Sequence, residues 1–177
     1  MNPMLIERRK FDLRVFALFT AHAESKMMRG YFYSEGYLRT SCKEYDLTKV
    51  DNRLIHLTND AVQKYSTDYG KYESSNKLSY AEFEKIVTKE KGTSFYAEIL
   101  PKIKSMVTDV FNSVGENLYL PNRKYDDDKP LYNGFELMGF DFMLDDDLNL
   151  KIIEVNTNPC LDTPCVLLHR LIPEVLD

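Results

Sequence analysis

The sequence predicts an α+β fold in which a mostly antiparallel sheet is packed by helices. Residues 11–20, 135–144 and 151–156 are rich in the β-branched and aromatic residues that favour strands. Residues 94–116 instead space their apolar side chains three and four positions apart, as one face of a helix does. The 177 residues are 44% hydrophobic and 12% aromatic, which is enough for a sizeable core. The length corresponds to one domain or a large piece of one.

The first half of the chain is predicted to contain strands and a long loop. Residues 11–20 form the first strand, and its alternation gives each face its own side chains: Phe11, Leu13 and Val15 on one, Asp12, Arg14 and Phe16 on the other. Residues 31–33 and 37–42, separated by three residues that end in glycine, predict a hairpin. Residues 64–78 are polar, rich in tyrosine and without period, which predicts an exposed loop.

The second half is predicted to begin with two helices. Ser79 and Glu82 have the spacing of a capping box, so a short helix is expected after them. Residues 94–116 form the second helix, and residues 118–129 predict a charged linker. After the two strands named above, a last helix is predicted over residues 164–176, with proline tolerated at its first position.

The composition excludes several classes of protein. The chain has 23 Lys+Arg and 28 Asp+Glu, and a net charge of −5 argues against binding nucleic acid through a concentrated basic face. No apolar run approaches the roughly 20 residues that span a bilayer, and the first residues lack the order of a signal peptide. Three cysteines, Cys42, Cys160 and Cys165, are expected to be free thiols in a reducing compartment. We therefore expect neither a nucleic-acid nor a membrane partner.

The last two predicted strands bring three oxygen donors together. If they form a hairpin that pairs Asp145 with Leu150, the same register sets Asp141 opposite Glu154, with Asn156 on the face of Glu154. Two adjacent carboxylates repel unless one is protonated or a cation lies between them. Oxygen donors are what Mg²⁺ prefers, and we expect the apolar strands to be largely buried, which makes an uncompensated cluster costly. This predicts a magnesium site, with a solvated polar face of the hairpin as the alternative.

Basic residues of the first strands predict an anion site. Lys10 directly precedes the first strand, Arg14 lies in it, and Arg39 lies in the predicted hairpin beside it. Guanidinium groups bind phosphate and carboxylate through two hydrogen bonds at once. Taken one by one, these residues also fit ordinary surface charges. Together with the acidic patch they predict a site for a phosphoryl group and a carboxylic acid.

Six segments, in this order, resemble the tubulin tyrosine ligase-like family, a branch of the ATP-grasp ligases. They cover most of the chain, and together they are far more specific than any one of them. The segments are KFDLR at 10–14, EGYLR at 35–39, HLTN at 56–59, YGKYE at 69–73, FELMGFDFM at 135–143 and IEVNTNP at 153–159.

The resemblance implies an ATP-grasp-like fold whose α+β lobes enclose ATP, and roles for particular residues. Asp141, Glu154 and Asn156 would hold Mg²⁺, in agreement with the grouping made above. The resemblance implies a nucleotide site made by Lys10, Asp12, Thr58, Asn59, Met143 and Ile153. It implies that Arg14 and Arg39 act with Glu154 in catalysis by stabilising the γ-phosphate and the incoming acid. The sequence does not identify a general base.

The chain departs from the family's pattern at its front. The family's catalytic region begins upstream, with a lobe that supplies a phosphate-covering loop, a nucleotide-contacting lysine and the adenine hinge. Residues 1–177 start after that hinge and contain no glycine-rich phosphate loop. We therefore expect residues 1–177 to be a partial catalytic domain, with the central and C-terminal lobe present and the N-terminal lobe absent.

The resemblance implies an ATP-dependent ligase that joins an amino acid to tubulin through an acyl phosphate. The expected partners are the carboxyl-terminal tail of tubulin, microtubules and a free amino acid. Tyr, Glu and Gly all stay open, and YGKYE together with FELMGFDFM is closest to the tyrosine-adding type. The expected location is the cytoplasm and cytoskeleton, including cilia or flagella. Two alternatives stay open: a catalytically silent module that binds microtubules, and an ATP-grasp ligase for a small-molecule acid.

Overall fold

The computed structural model describes residues 2–22, 27–118 and 133–177. Their strands form one six-stranded antiparallel sheet in the order β4-β3-β2-β5-β6, with β1 paired to β2 beside this path. The strands are β1 (Leu5–Ile6), β2 (Arg9–His22), β3 (Met27–Glu44), β4 (Lys77–Ser79), β5 (Gly134–Leu144) and β6 (Leu150–Asn156). The mostly antiparallel α+β class is confirmed, and the pairing of β2 with β5 joins the beginning of the chain to its last third.

The predicted hairpin within residues 31–42 is wrong. Those residues belong to the single long strand β3, which pairs with β2 along nearly its whole length. The register changes between two pairs: Val15 lies opposite Gly36, and Ala17 lies opposite Phe32. The polar residues between them form a bulge, which bends a strand without ending it.

Gly36 is required by close packing rather than by a turn. A Cβ atom at this position would collide with the Tyr80 hydroxyl group and the Arg14 carbonyl oxygen, and would lie 2.7 Å from Tyr80 Cζ. In a strand, glycine often marks a place where another group approaches the backbone closely. The glycine that suggested a turn therefore makes room for the Tyr80 side chain, which packs against the backbone of the strand.

The predicted pairing of Asp141 with Glu154 is confirmed, although the predicted turn is not. The turn pairs Leu144 with Leu150 instead of Asp145 with Leu150. The register then shifts between Asp141 and Phe142, which leaves one extra residue, Ile153, on β6. The one-residue change at the turn and the one-residue bulge at Ile153 cancel, so Asp141 and Glu154 still lie opposite each other.

The three predicted helices are present in the described residues as α3 (Tyr80–Lys91), α4 (Leu100–Leu118) and α5 (Val166–Leu176). Two short helices that were not predicted precede them, α1 (Arg53–His56) and α2 (Asp60–Gln63). The capping box of α3 is confirmed: the Ser79 hydroxyl group accepts from the Glu82 amide, and the Glu82 carboxylate accepts from the Ser79 amide. A π-helical turn, Phe95–Ile99, leads into α4. The last helix begins later than predicted, since Cys165 is its N-cap and Pro164 precedes it. None of these helices is long and apolar enough to cross a membrane.

The alternation of β2 separates two cores. Phe11, Leu13 and Val15 join the larger core, which packs the sheet against α3 and α4. Phe16 and Tyr37 join a smaller core on the other face, completed by α5. The faces assigned from the sequence are confirmed, and the polar side chains Asp12 and Arg14 therefore lie on the α5 side of the sheet.

The prediction of an exposed loop over residues 64–78 is only partly correct. The segment contains a short 3₁₀ helix, Ser74–Asn76, and enters strand β4. Asn76 and Lys77 are buried, whereas Tyr65 and Tyr72 are exposed. Most of the predicted linker at 118–129 lies outside the described residues.

We predict that Gly36→Ala destabilises the protein by about 1 to 3 kcal/mol, because the new methyl group overpacks against backbone and a buried ring. Urea unfolding measures this free energy. Gly134→Ala is the control, because in the described residues nothing lies within 4 Å of its Cβ position. It should be neutral or slightly stabilising, as expected for alanine replacing glycine in a strand. Equal effects of the two substitutions would contradict the packing role of Gly36.

Candidate functional site

An open cleft of about 350 Å³ lies on the α5 side of the sheet. Its floor includes Arg14 and Arg39, and Glu154 and Asn156 line it from β6. The remaining walls come from the segment around α2, from Lys77 and from the chain that leads to α5, with lining residues Tyr37, Asn59, Asp60, Ala61, Lys64, Asn158, Pro159, Cys160, Asp162, Pro164 and Leu168. A larger cavity of about 490 Å³, at the opposite end of the β2–β3 hairpin, has no aspartate or glutamate among its described lining residues.

Asp141 lies between two arginines at the base of the cleft. Its Oδ1 accepts a hydrogen bond of 2.5 Å from Arg14 Nε, and its Oδ2 accepts bonds of 3.1 Å from Arg14 Nη2 and 2.6 Å from Arg39 Nη2. Asp12 accepts from Arg39 Nε at 2.7 Å and from the Thr58 hydroxyl group. All five side chains are buried. Their ion pairs join three adjacent strands, and the hydrogen bond from Thr58 to Asp12 ties the segment at Thr58 to the sheet.

The charges of this cluster shift the pKa values of its carboxyl groups. Burial alone raises the pKa of Asp141, but the hydrogen bonds and charges of Arg14 and Arg39 outweigh burial, so the pKa lies below its ordinary value. For Asp12, burial is the larger effect and raises the pKa, while Arg39 and Thr58 offset part of the rise. Burial lowers the pKa of Arg39, and its two carboxylate neighbours more than reverse that. The guanidinium group of Arg39 is therefore charged at every physiological pH.

Each arginine keeps donors for a ligand. A guanidinium group has five N–H bonds, and the contacts above use only the Nε and Nη2 groups of Arg14 and Arg39. Among the described residues, neither Nη1 group donates a hydrogen bond to the protein, and both side chains line the cleft. The pair can therefore bind an anion while it still holds Asp141.

The facing carboxylates do not need a metal ion between them to offset their repulsion in this arrangement. The two arginines neutralise Asp141, and Glu154 is exposed because β6 is a half-exposed edge strand rather than a buried one. Within the described residues, no three histidine, cysteine, aspartate or glutamate side chains cluster closely enough to hold a metal ion. Repulsion therefore does not by itself demand an ion.

The donor set nevertheless fits Mg²⁺ chemically. Glu154 Oε1 accepts a weak bond of 3.3 Å from Asn156 Nδ2, which orders both side chains on the same face. The other carboxylate oxygen and the amide oxygen have no partner among the described residues, and Mg²⁺ takes such oxygens together with water and phosphate. Glu154 and Asn156 would hold the ion from β6, while Asp141 would share its carboxylate with the arginines.

The predicted nucleotide residues are not all in the cleft. Asn59 lines it, and Thr58 lies buried beside it. Lys10 donates a 2.8 Å hydrogen bond to the His56 carbonyl oxygen, and burial lowers the pKa of its ammonium group. The other three predicted residues do not line the cleft: Asp12 is buried beneath it, Met143 is half-buried, and Ile153 is exposed on the β6 bulge.

Gly139 is a site residue that the sequence analysis missed. A Cβ atom here would lie 3.0 Å from Arg14 Nη1 and 2.8 Å from Pro159 Cβ. Glycine therefore lets Arg14 cross over β5 towards Asp141 and lets the chain at Pro159 pack on the strand. Its position inside an apolar strand, two residues before Asp141, is a local signal that indicates a close approach of another group to the strand.

A second ion pair was also missed. Lys77 is almost fully buried and donates a 2.5 Å hydrogen bond to Asp60 Oδ1, which also accepts from the Tyr69 hydroxyl group at 2.7 Å. Burial raises the pKa of the Asp60 carboxyl group, but Lys77 and Tyr69 lower it by more, so this wall carries an ionised carboxylate. The lysine was interpreted from the sequence as part of an exposed loop, and that interpretation is wrong.

Comparison with known proteins gives a family match over the whole chain. The profile of the Tubulin-tyrosine ligase family matches residues 1–177. Tubulin glycylase 3B of Tetrahymena thermophila is 31% identical over 176 residues, covering 99% of this chain and 14% of that protein. "Probable tubulin polyglutamylase TTLL9" of Rattus norvegicus is 33% identical over 161 residues, covering 90% of this chain and 32% of that protein. The chain thus spans less than a third of the length of these relatives.

We predict that Asp141→Asn lowers the free energy of unfolding by about 3 to 5 kcal/mol, because it leaves two buried guanidinium groups without their shared carboxylate. Chemical unfolding at neutral pH measures the loss. Glu154→Gln is the control, since an exposed side chain should change stability by about 0.5 kcal/mol or less.

The difference between wild type and Asp141→Asn should depend on pH. A carboxyl group whose pKa is lowered by folding stabilises the protein above its unfolded pKa, about 3.9, and loses that effect as the pH falls through its folded pKa. The difference should therefore be constant above about pH 5 and shrink below about pH 4. A difference that grows on acidification would contradict the assigned ion pairs.

Proposed function

The chain belongs to the tubulin-tyrosine ligase family, and we propose that it forms part of an ATP-dependent ligase that joins an amino acid to a carboxyl group of tubulin. The observation that supports this most is the cleft in which Arg14 and Arg39 meet Asp141 and face Glu154 and Asn156. Charged donors for a phosphoryl group and oxygens for a divalent cation lie there on adjacent strands. Phosphoryl transfer to a carboxylate needs both kinds of group.

The proposed reaction has two steps. An oxygen of the acceptor carboxylate attacks the γ-phosphorus of ATP, and ADP leaves, which gives an acyl phosphate. The amine nitrogen of the amino acid then attacks the acyl carbon, inorganic phosphate leaves, and the amine loses a proton as the amide bond forms. Neither step needs a protein nucleophile, which agrees with a cleft of arginines and oxygen donors.

Arg14 and Arg39 serve both steps by binding negative charge. Their Nη1 groups, which donate to none of the described residues, would hold the phosphoryl oxygens as charge builds up on them, and removal of one such donor costs about 10² to 10³ in rate in comparable sites. Because Asp141 and Asp12 fix the guanidinium planes in advance, little reorganisation is needed. Bound Mg²⁺, held by Glu154 and Asn156 with Asp141, would add to the neutralisation of the phosphates.

The nucleotide is proposed to lie along the edge of the cleft. Asn59 in the cleft wall and Thr58 buried beside it would meet its sugar and phosphates, and Lys10 would add a positive charge on the same strand as Arg14. Asp12 holds Arg39 and Thr58, so its own contact with nucleotide requires Thr58 to give up its hydrogen bond. Met143 and Ile153 would pack against the adenine, a role that the exposure of Ile153 permits.

The names of the relatives favour glycine or glutamate over tyrosine as the added amino acid. The relatives described above are named as a glycylase and a polyglutamylase, which runs against the tyrosine-adding type suggested by YGKYE. Both names are those of enzymes, so the catalytically silent module is the weaker alternative. We place the protein with tubulin in the cytoplasm and cytoskeleton, including cilia.

The test is incorporation of labelled Gly, Glu or Tyr into tubulin by the full-length protein with Mg·ATP. We expect one amino acid to be incorporated, and Glu154→Gln to lower the rate at least about 100-fold through loss of a metal ligand and of phosphate neutralisation. Glu136→Gln is the control, because it makes the same change on β5 outside the cleft, and it should keep full activity. No incorporation of any of the three, or full activity in Glu154→Gln, would contradict the proposal.

A further inference from the structure

A nearly buried tyrosine, Tyr37, reaches the cleft with its hydroxyl group unpaired. The residue is 4% exposed, and its ring packs in the smaller core at 6.3 Å from the ring of Phe16, yet it also lines the cleft. Its hydroxyl group neither donates a hydrogen bond to the described residues nor accepts one from them. A buried tyrosine hydroxyl group usually has a partner. The lack of one inside the described chain points to a partner that enters the cleft.

Two other tyrosines that pack against the sheet follow the usual rule. Tyr33 donates a 2.9 Å hydrogen bond to Glu174, and Tyr80, which is as buried as Tyr37, donates a longer one of 3.4 Å to the Arg14 carbonyl oxygen. The exception at Tyr37 is therefore a property of its position, since its neighbours in the fold find partners within the protein.

The unpaired hydroxyl group of Tyr37 faces the cleft. Among the described residues, Arg9 Nε is the one polar side-chain atom that is both fully buried and without a partner. The hydroxyl oxygen of Tyr37 must therefore reach the protein surface, and the surface that this residue lines is the cleft. A ligand in the cleft can accept its proton without any change in the fold.

The register of the sheet sets Tyr37 beside both arginines of the cleft. Tyr37 lies opposite Arg14 in the pairing of β2 with β3, and Arg39 follows two residues later on the same face, opposite Asp12. Residues that lie opposite each other on an antiparallel pair have Cβ atoms about 4.5 to 5.5 Å apart. The hydroxyl group and the two guanidinium groups therefore belong to one patch of the cleft.

The Tyr37 hydroxyl group is a neutral donor at physiological pH. Burial raises its pKa to about 12, and the charges of Arg14 and Arg39 only partly oppose that rise. The Nη1 groups of both arginines likewise donate to none of the described residues. Because the ring is fixed by its packing in the smaller core, all three donors are held in place before a ligand arrives.

We propose that the Tyr37 hydroxyl group donates a hydrogen bond to an oxyanion that Arg14 and Arg39 hold in the cleft. The oxyanion is a phosphoryl group or a carboxylate, since both present the oxygens that guanidinium groups bind. That such a ligand enters the cleft rests on the proposed function, in which the phosphoryl group is the γ-phosphate of ATP and the carboxylate is that of the free amino acid. Tyr37 would thus contact the substrate together with the two arginines.

The first test is the stability of the full-length protein without ligand. Tyr37→Phe removes only the hydroxyl oxygen and keeps the ring. Because that oxygen has no partner among the described residues, the melting temperature should stay unchanged or rise by up to about 4 °C. A fall of more than about 2 °C would show that the hydroxyl group is bonded within the protein, and the proposal would be wrong.

Ligand binding should change in the opposite direction. The affinity for a non-hydrolysable ATP analogue divided by the affinity for ADP, both measured by calorimetry, reports recognition of the γ-phosphoryl group. If the hydroxyl group binds that group, Tyr37→Phe should lower the ratio about 10-fold or more, as expected for loss of a hydrogen bond to a charged group. If it binds the carboxylate, the ratio should stay constant and the dissociation constant of free glycine or glutamate should rise by the same factor.

The matched control is Tyr33→Phe, which makes the same change on the same strand outside the cleft. Its ratio and its amino-acid affinity should stay within about 2-fold of wild type, because its hydroxyl group contacts an exposed glutamate. Equal losses in the two variants, no loss of either affinity in Tyr37→Phe, or no binding of any of these ligands by wild type would overturn the proposal.

These measurements are independent of the incorporation assay. A ratio or an amino-acid affinity that depends on Tyr37, without incorporation of any amino acid, would support the hydrogen bond and count against the proposed ligase function. Incorporation with kcat and with KM values for ATP and the amino acid that are unchanged by Tyr37→Phe would support the function and refute the hydrogen bond.

Discussion

The ion pairs of Asp141 with Arg14 and Arg39 are the constraint on which the rest of the site depends. One carboxylate on β5 is shared by guanidinium groups from β2 and β3, and Asp12 holds Arg39 from its other side. Burying four charges is costly unless each is paired and hydrogen-bonded, which fixes the positions of the side chains closely. The sheet must therefore keep these strands adjacent and in this register. Gly36 allows the Arg14 backbone to lie close to β3, and Gly139 allows the Arg14 side chain to lie over β5.

The same cluster explains how the cleft combines opposite charges. The arginines are held by carboxylates below them and keep donors that face the cleft above. Glu154 and Asn156, on a half-exposed edge strand, offer oxygens that the arginines do not use. Cation-binding and anion-binding groups thus lie side by side, and among the described residues Glu154 forms no ion pair with either arginine. That separation is what a reaction between a carboxylate, a phosphate and an amine requires.

Local patterns predicted the elements better than their pairing. The alternation of β2 and the capping box of α3 are properties of short stretches, and both are confirmed. The hairpin predicted within β3 is wrong, because a bulge opposite Val15 and Ala17 absorbs the polar residues, and only the partner strand reveals it.

The candidate site was predicted in part. Asp141 and Glu154 face each other as predicted, yet through a different turn and a bulge at Ile153 that no local pattern signals. The arginines were predicted as ligands of an anion, but their pairing with Asp141 joins residues more than 100 positions apart. The burial of Lys77 was missed because its partner Asp60 lies 17 positions away, beyond the reach of a local pattern.

The most direct test of this account is a double-mutant cycle between Arg39 and Asp141. The free energies of unfolding of wild type, Arg39→Gln, Asp141→Asn and the double variant give the coupling energy of the pair. A coupling of about 1 to 3 kcal/mol is expected, because each single change removes one of the two ion-pair partners of a buried charge. Additive effects, within about 0.5 kcal/mol, would show that the two side chains do not depend on each other and would contradict it.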